Sequence, residues 1–209
     1  MRPKIKAMFI GDLMIVALAG AGCTGPFAEA DAAYERGDYG TAIRLIRPLA
    51  DQGDADAEFA LGVMYVRGLG VRQDDFEAVQ WFRKAAEQGK LEAETNLGIM
   101  YAGGHGVMKD YAAAVKWYLL AAERGDPDAQ HNLGLLYEDG HGVTQDYVLA
   151  HMWYSLAVAR YADLGKQPRE ELEKEYPEDS MKRRDAIAAK MTSAEIAESQ
   201  KLVREWKPK

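Results

Sequence analysis

AEFALGVMYVRGLGVRQDDFEAVQWFRKAAEQGKLE (57–92) runs without a gap into AETNLGIMYAGGHGVMKDYAAAVKWYLLAAERGDPD (93–128) and AQHNLGLLYEDGHGVTQDYVLAHMWYSLAVA (129–159). Shifted by about 36 residues the three copies coincide at Leu61/Leu97/Leu133, Gly62/Gly98/Gly134, Tyr65/Tyr101/Tyr137, Asp74/Asp110/Asp146 and Trp81/Trp117/Trp153. Self-similarity at a fixed period of this length marks a stack of supersecondary units, each burying its apolar face against the next.

Each unit reads as two helices. The first, near 57–67, places Ala57, Leu61, Met64 and Tyr65 on one helical face. Gly68-Leu69-Gly70 then breaks it, because glycine adopts the positive φ that ends helices. Asp74, Asp110 and Asp146 stand where a side-chain acceptor caps the following helix. That helix, near 75–88, carries Ala78, Trp81, Phe82, Ala85 and Ala86, with Gly62 and Ala78 allowing close approach while Trp81 fills the space beside them. Gly89 and Gly125 close their units. Residues 32–57 have a shorter turn at Gly37-Asp38-Tyr39 and place Ala42, Ala50 and Gly53 in register with Ala78, Ala86 and Gly89, as an atypical terminal unit does.

The pattern A-x3-LG-x2-Y-x2-G-x-GV-x2-D-x3-A-x2-W[YF]-x2-AA resembles the Sel1-like repeat family, relatives of the tetratricopeptide repeats. Asp75 replaces the tyrosine found at Tyr111 and Tyr147, and the third copy has Tyr161 where the closing glycine belongs. The resemblance implies an all-α protein, an α/α superhelical solenoid of helix-turn-helix repeats with a C-terminal capping helix. The expected organisation is a signal peptide and linker at 1–30, a capping hairpin at 31–56, repeats at 57–92, 93–128 and 129–165, and a charged helical segment with the cap at 166–209.

The leader is read from its charge and apolar pattern. MRPKIK carries three cations, and the apolar run Leu13–Gly22 is too short to span a bilayer but suits a signal-peptide core. Ala19-Gly-Ala21, Ala21-Gly-Cys23 and Ala28-Glu-Ala30 are alternative cleavage sites. LAGAGC resembles a lipobox, with Gly20 where leucine or valine is usual, so Cys23 is either a lipidation site or lost from the folded part. As the single cysteine it cannot form a disulfide within the chain. The expected location is periplasmic or secreted, with membrane contact only through an anchor at Cys23.

The net charge of −7, about −8 once 1–30 are removed, opposes nucleic-acid binding. At the far end Gly165 and Pro168 stop the last repeat helix, and REELEKE and SMKRRDAIAAK read as short exposed helices with turns at Pro168 and Pro177. Thr192-Ser-Ala-Glu195 has capping-box spacing, followed by Ile196, Ser199, Leu202, Val203 and Trp206 on one face of a terminal helix over 193–206.

Catalytic and metal signatures are weak. His105 and His141 occupy turns of neighbouring repeats, about 10 Å apart by analogy with stacked helices, too far to share one small ion. Leu69 stands at the equivalent turn position, so GGHGV reads as a turn rather than a ligand. None of Ser155, Ser180, Ser193 or Ser199 begins an S-x-x-K, and the paired cysteines of relatives linked to β-lactams are missing. The tryptophans at 81, 117 and 153 read as core. No cofactor is expected.

Binding is therefore expected on the concave face, which first helices line. Its positions that differ between copies are Phe59/Thr95/His131, Ala60/Asn96/Asn132, Val63/Ile99/Leu135 and Arg67/Gly103/Asp139. Phe59, Val63, Arg67, Thr95, Asn96, Ile99, His131, Asn132 and Leu135 are the candidate contacts to a protein or peptide partner. Asn96 and Asn132 carry two readings, gripping a peptide backbone or satisfying neighbouring helix ends. The expected role is an exported scaffold of the bacterial cell envelope. Its rival is an envelope enzyme acting on peptidoglycan or a related amide, in which one side-chain change would abolish turnover.

Overall fold

The structure is a computed structural model that describes residues 26–164 and 175–209. These form ten α-helices and no strand, the all-α helix-pair repeat class expected. No described helix is long and apolar enough to cross a membrane. The chain divides into two compact units, up to Lys109 and from Asp110 onward.

The first unit holds α1 (Pro26–Glu35), α2 (Tyr39–Asp51), α3 (Ala55–Arg67), α4 (Asp75–Glu87) and α5 (Leu91–Gly103). Helices α1 and α2 form the terminal hairpin, but α1 begins at Pro26, five residues before the expected boundary, and Ala30 and Ala33 are fully buried in its core. Asp38, Asp54 and Asp74 cap α2, α3 and α4, each carboxylate accepting from an N–H in the first turn. The core shared by α1 to α4 includes Ile43 and Ile46 of α2, Leu61 and Met64 of α3 and Trp81 of α4. Phe82, rather than Trp81, lies over Gly62: a Cβ there would come within 2.6 Å of its ring.

The glycine turns have a second duty that the sequence does not reveal. Gly68 ends α3 in the left-handed region, as expected. Gly70, at φ +69°, also presses so closely on the start of α2 that a Cβ would lie 2.3 Å from the Tyr39 carbonyl oxygen. Gly106 does the same to α4, where its Cβ would lie 2.2 Å from the Asp75 carbonyl oxygen. Each turn therefore seats on the opening residues of the preceding second helix. An Arg–Tyr pair recurs beside it: Arg47 donates to the Tyr65 hydroxyl at 2.6 Å and Arg83 to that of Tyr101 at 2.9 Å.

The second unit holds α6 (Tyr111–Glu123), α7 (Pro127–Asp139), α8 (Tyr147–Leu164), α9 (Glu175–Ala188) and α10 (Ser193–Glu205). Asp110, Asp126 and Asp146 cap α6, α7 and α8. Gly142 repeats the turn contact against Tyr111 and Ala112, and the Tyr154 ring covers Gly134. Helix α8 runs to Leu164; Gly165 and Pro168, the expected stop, lie outside the described residues.

The C-terminal segment differs from expectation. Pro177 makes no turn but lies within α9. The stretch 180–190 is not a free-standing exposed helix either. Helix α9 packs on α8 and touches α7, with Ser180 and Ile187 fully buried. Helix α10 starts with the expected Thr192–Glu195 capping box and lies on α8, with Ser199 buried and Ile196, Leu202, Val203 and Trp206 half-buried.

Candidate functional site

Of the nine candidate contact residues, six are buried and three half-exposed. Phe59, Val63, Thr95, Asn96, His131 and Asn132 have at most 7% of their surface accessible, whereas Arg67, Ile99 and Leu135 reach solvent. Cys23 and the leader lie outside the described residues. The buried positions vary because their neighbours vary. Phe59 packs on the Phe82 ring at 5.8 Å, while His131 packs on that of Tyr154 at 5.6 Å. Asn96 donates to the Glu92 carbonyl of its own helix at 2.6 Å, a bond within α5 rather than to a neighbouring helix end. Difference between repeat copies marks what packs against each copy as well as what stays free.

A polar cluster lies where α9 meets the third repeat. His131 Nδ1 is 2.7 Å from Ser180 Oγ, and its Nε2 is 3.6 Å from the Asp179 carboxylate. Arg183 donates to Asp179 at 2.7 Å and to Glu138 at 3.2 Å, and Glu138 also accepts from the Tyr154 hydroxyl at 2.9 Å. Burial lowers the His131 pKa to about 4, with Arg183 adding to the effect and Asp179 opposing it. Burial likewise pushes Tyr154 up, and Glu138 holds its proton on. Sequence reasoning missed this cluster, although one signal was available: histidine appears at 131 where the other copies carry Phe59 and Thr95.

A second pair sits beside it. His151 Nδ1 is 2.8 Å from Ser199 Oγ on α10, and burial lowers the His151 pKa, with Arg184 adding to and Asp185 opposing that shift. Earlier copies carry Val79 and Val115 at this position.

The Ser180–His131–Asp179 grouping has the residue types of a hydrolase triad but cannot work as one. Ser180 has no accessible surface, so no substrate carbonyl reaches its Oγ. The serine also bonds Nδ1, with the carboxylate on the Nε2 side, the reverse of the usual arrangement.

On the turn edge, His105 Nδ1 lies 3.9 Å from Asp75, and the His141 ring stacks on Tyr111 at 4.5 Å and 8°. Both histidines are half-exposed and take the place of Leu69, which, like Tyr39, packs against the core around Ile43 and Leu61. Among the described residues no group of three or more histidine, cysteine, aspartate or glutamate side chains is arranged to hold a metal ion. Trp81 and Trp153 are buried at 7% and 6% exposure; Trp117 is half-buried.

The profile of the Sel1 repeat matches residues 55–90, 91–126 and 127–160, just over half of the chain and two residues ahead of the register read from the sequence. Among solved structures, a protective antigen present in uropathogenic Escherichia coli strains and displaying an SLR fold is 41% identical, with a TM-score of 0.61 over 68% of this chain and 32% of its own. A Sel1 repeat protein from Oxalobacter formigenes is 34% identical, with a TM-score of 0.60 over 68% of this chain and 59% of its own. The chain thus spans about a third and about three fifths of their lengths. No curated protein matches.

Proposed function

The chain belongs to the Sel1 repeat family, whose members generally serve as protein-interaction scaffolds, and from that premise we propose that it is an exported scaffold of the bacterial cell envelope. The observation that carries the reading is a constant framework with a changing surface. Leu61, Leu97 and Leu133 are all fully buried, while the accessible first-helix positions differ, with Arg67, Gly103 and Asp139 at one and Ile99 and Leu135 at another. A preformed surface of this kind binds a peptide segment or a partner domain with little ordering cost. Within the candidate set three side chains keep accessible surface: Ile99, Arg67, which also donates to the Tyr34 hydroxyl, and Leu135, which packs beside Tyr154 and Ile187.

Export follows from the cationic start and short apolar core of residues 1–22. Burial of Ala30 and Ala33 against α2 and α3 favours cleavage near Cys23 over cleavage after Ala30, which would cut α1. Mass analysis of the native N-terminus decides: a diacylglyceryl group on Cys23 means a lipid anchor, a free terminus at 22, 24 or 31 a released protein, and a terminus at Met1 no export.

Binding is tested by in-cell crosslinking with tagged full-length protein beside the folded triple variant Arg67→Ala, Ile99→Ala, Leu135→Ala. A discrete envelope protein captured by the first and lost by the second supports the assignment. The same capture by both sinks it.

A further inference from the structure

Both C-terminal helices meet the third repeat through a buried histidine–serine pair. His131 of α7 meets Ser180 of α9 at 2.7 Å, and His151 of α8 meets Ser199 of α10 at 2.8 Å. Both serines have no accessible surface, and both histidines are at most 8% exposed. The equivalent positions in the first two copies cannot bear a proton in this range: Phe59 and Thr95 match His131, Val79 and Val115 match His151. Titratable side chains thus enter these core positions only in the copy that receives the extra helices.

The helices hold on by little else that is buried. Among residues whose side chains are described, α9 buries only Ser180 and Ile187, and α10 only Ser199, whereas α7 alone buries seven. Elements with so few buried residues open at a lower free energy than the repeats beneath them. We propose that the two histidine–serine pairs form an acid-sensitive latch, so that mild acidification undocks α9 and α10 from the third repeat while the repeats stay folded.

The charges around each histidine set the sign. His131 faces Asp179 and Arg183 from α9 and the Tyr154 ring from α8; Glu138 of its own helix is engaged by Arg183 and Tyr154. His151 faces Arg184 and Asp185 from α9 and Ser199 from α10. In each site one carboxylate favours the protonated ring, and burial together with one arginine outweighs it, so the docked state keeps the ring neutral. An undocked histidine is hydrated and accepts a proton near its ordinary pKa. Protons therefore bind the open form preferentially, and falling pH draws the equilibrium toward it. Undocking bares Ala150 and Tyr154, with Leu135, Tyr137 and Tyr147 at their rim, as an apolar end surface.

Hydrogen exchange of the full-length protein at pH 7.5 and 5.5, corrected for intrinsic rates, tests the latch. The expected result is a loss of protection of about tenfold across 175–205, with little change in α4 and α6. Two variants check its origin. One replaces His131→Thr and His151→Val, residues that other copies already carry; the other replaces both histidines with glutamine. Whichever variant folds should show equal protection of 175–205 at both pH values. The latch is refuted by unchanged protection in the parent protein. Equal loss throughout all helices, or a pH response that survives removal of both histidines, refutes it as well.

Discussion

Ser180 Oγ lies 2.7 Å from His131 Nδ1, although one residue belongs to α9 and the other to the third repeat. Neither group reaches water, so each depends on the other to satisfy a polar atom. Ser180→Ala should therefore lower stability by about 1–3 kcal/mol, the cost of stranding a buried partner. Ser193→Ala, at an exposed position, should change it by less than about 0.5 kcal/mol. Urea denaturation of the second unit's helices compares the two, and equal effects would show that the pair contributes nothing.

Acid should weaken the fold before carboxylates titrate. The His131 pKa is depressed to about 4, below its ordinary value, so its contribution is complete above about pH 6.5 and is lost as pH falls toward 4. The midpoint at pH 5 should therefore fall below that at pH 7.5, because the unfolded chain takes up the proton that buried His131 does not. Denaturation midpoints at pH 7.5 and 5 measure it. A flat profile would mean that Asp179 holds the ring protonated.

Two glycines with the same backbone angle should respond differently to a methyl group. Gly37 has φ +74° and open space where a Cβ would project, with no atom within 4 Å, while Gly142 has φ +73° and Tyr111 backbone atoms at 2.5 Å. Gly37→Ala should cost about 1–2 kcal/mol from the left-handed conformation alone. Gly142→Ala should cost at least about twice that, because the turn must lift off α6. Equal thermal shifts would show that the close approach relaxes freely.

The Arg–Tyr pairs give a prediction of either sign. Arg83→Leu should cost about 0.5–1.5 kcal/mol by freeing the Tyr101 hydroxyl. Leu119 occupies the matching place before Tyr137, so Leu119→Arg should be neutral or stabilising by up to the same amount. A loss of stability in the second variant would show that the half-buried leucine packs in a way that arginine cannot replace.

Periodicity along the chain exposed the repeats because packing against a neighbour of the same kind imposes the same residues each time. Leu61, Leu97 and Leu133, the aspartate caps and the left-handed glycines at 68, 104 and 140 are local or recurring demands, and each was legible. The Thr192–Glu195 box was legible for the same reason: its bonds close within four residues.

Contacts made once, or between residues far apart, left no such trace. His131 and Ser180 are separated by 49 positions, and His151 and Ser199 by 48; neither spacing has a sequence signature. Variation at 59, 95 and 131 looked like freedom to bind, yet each side chain is buried, two of them beside rings of their own repeat, so the variation followed the neighbour. The helices, their caps and their period were written in the chain, since those follow from backbone geometry and short-range hydrogen bonds. Which varying positions reach solvent, and where α9 and α10 dock, were settled by packing, because burial belongs to the assembled surroundings of a residue rather than to its place in the repeat.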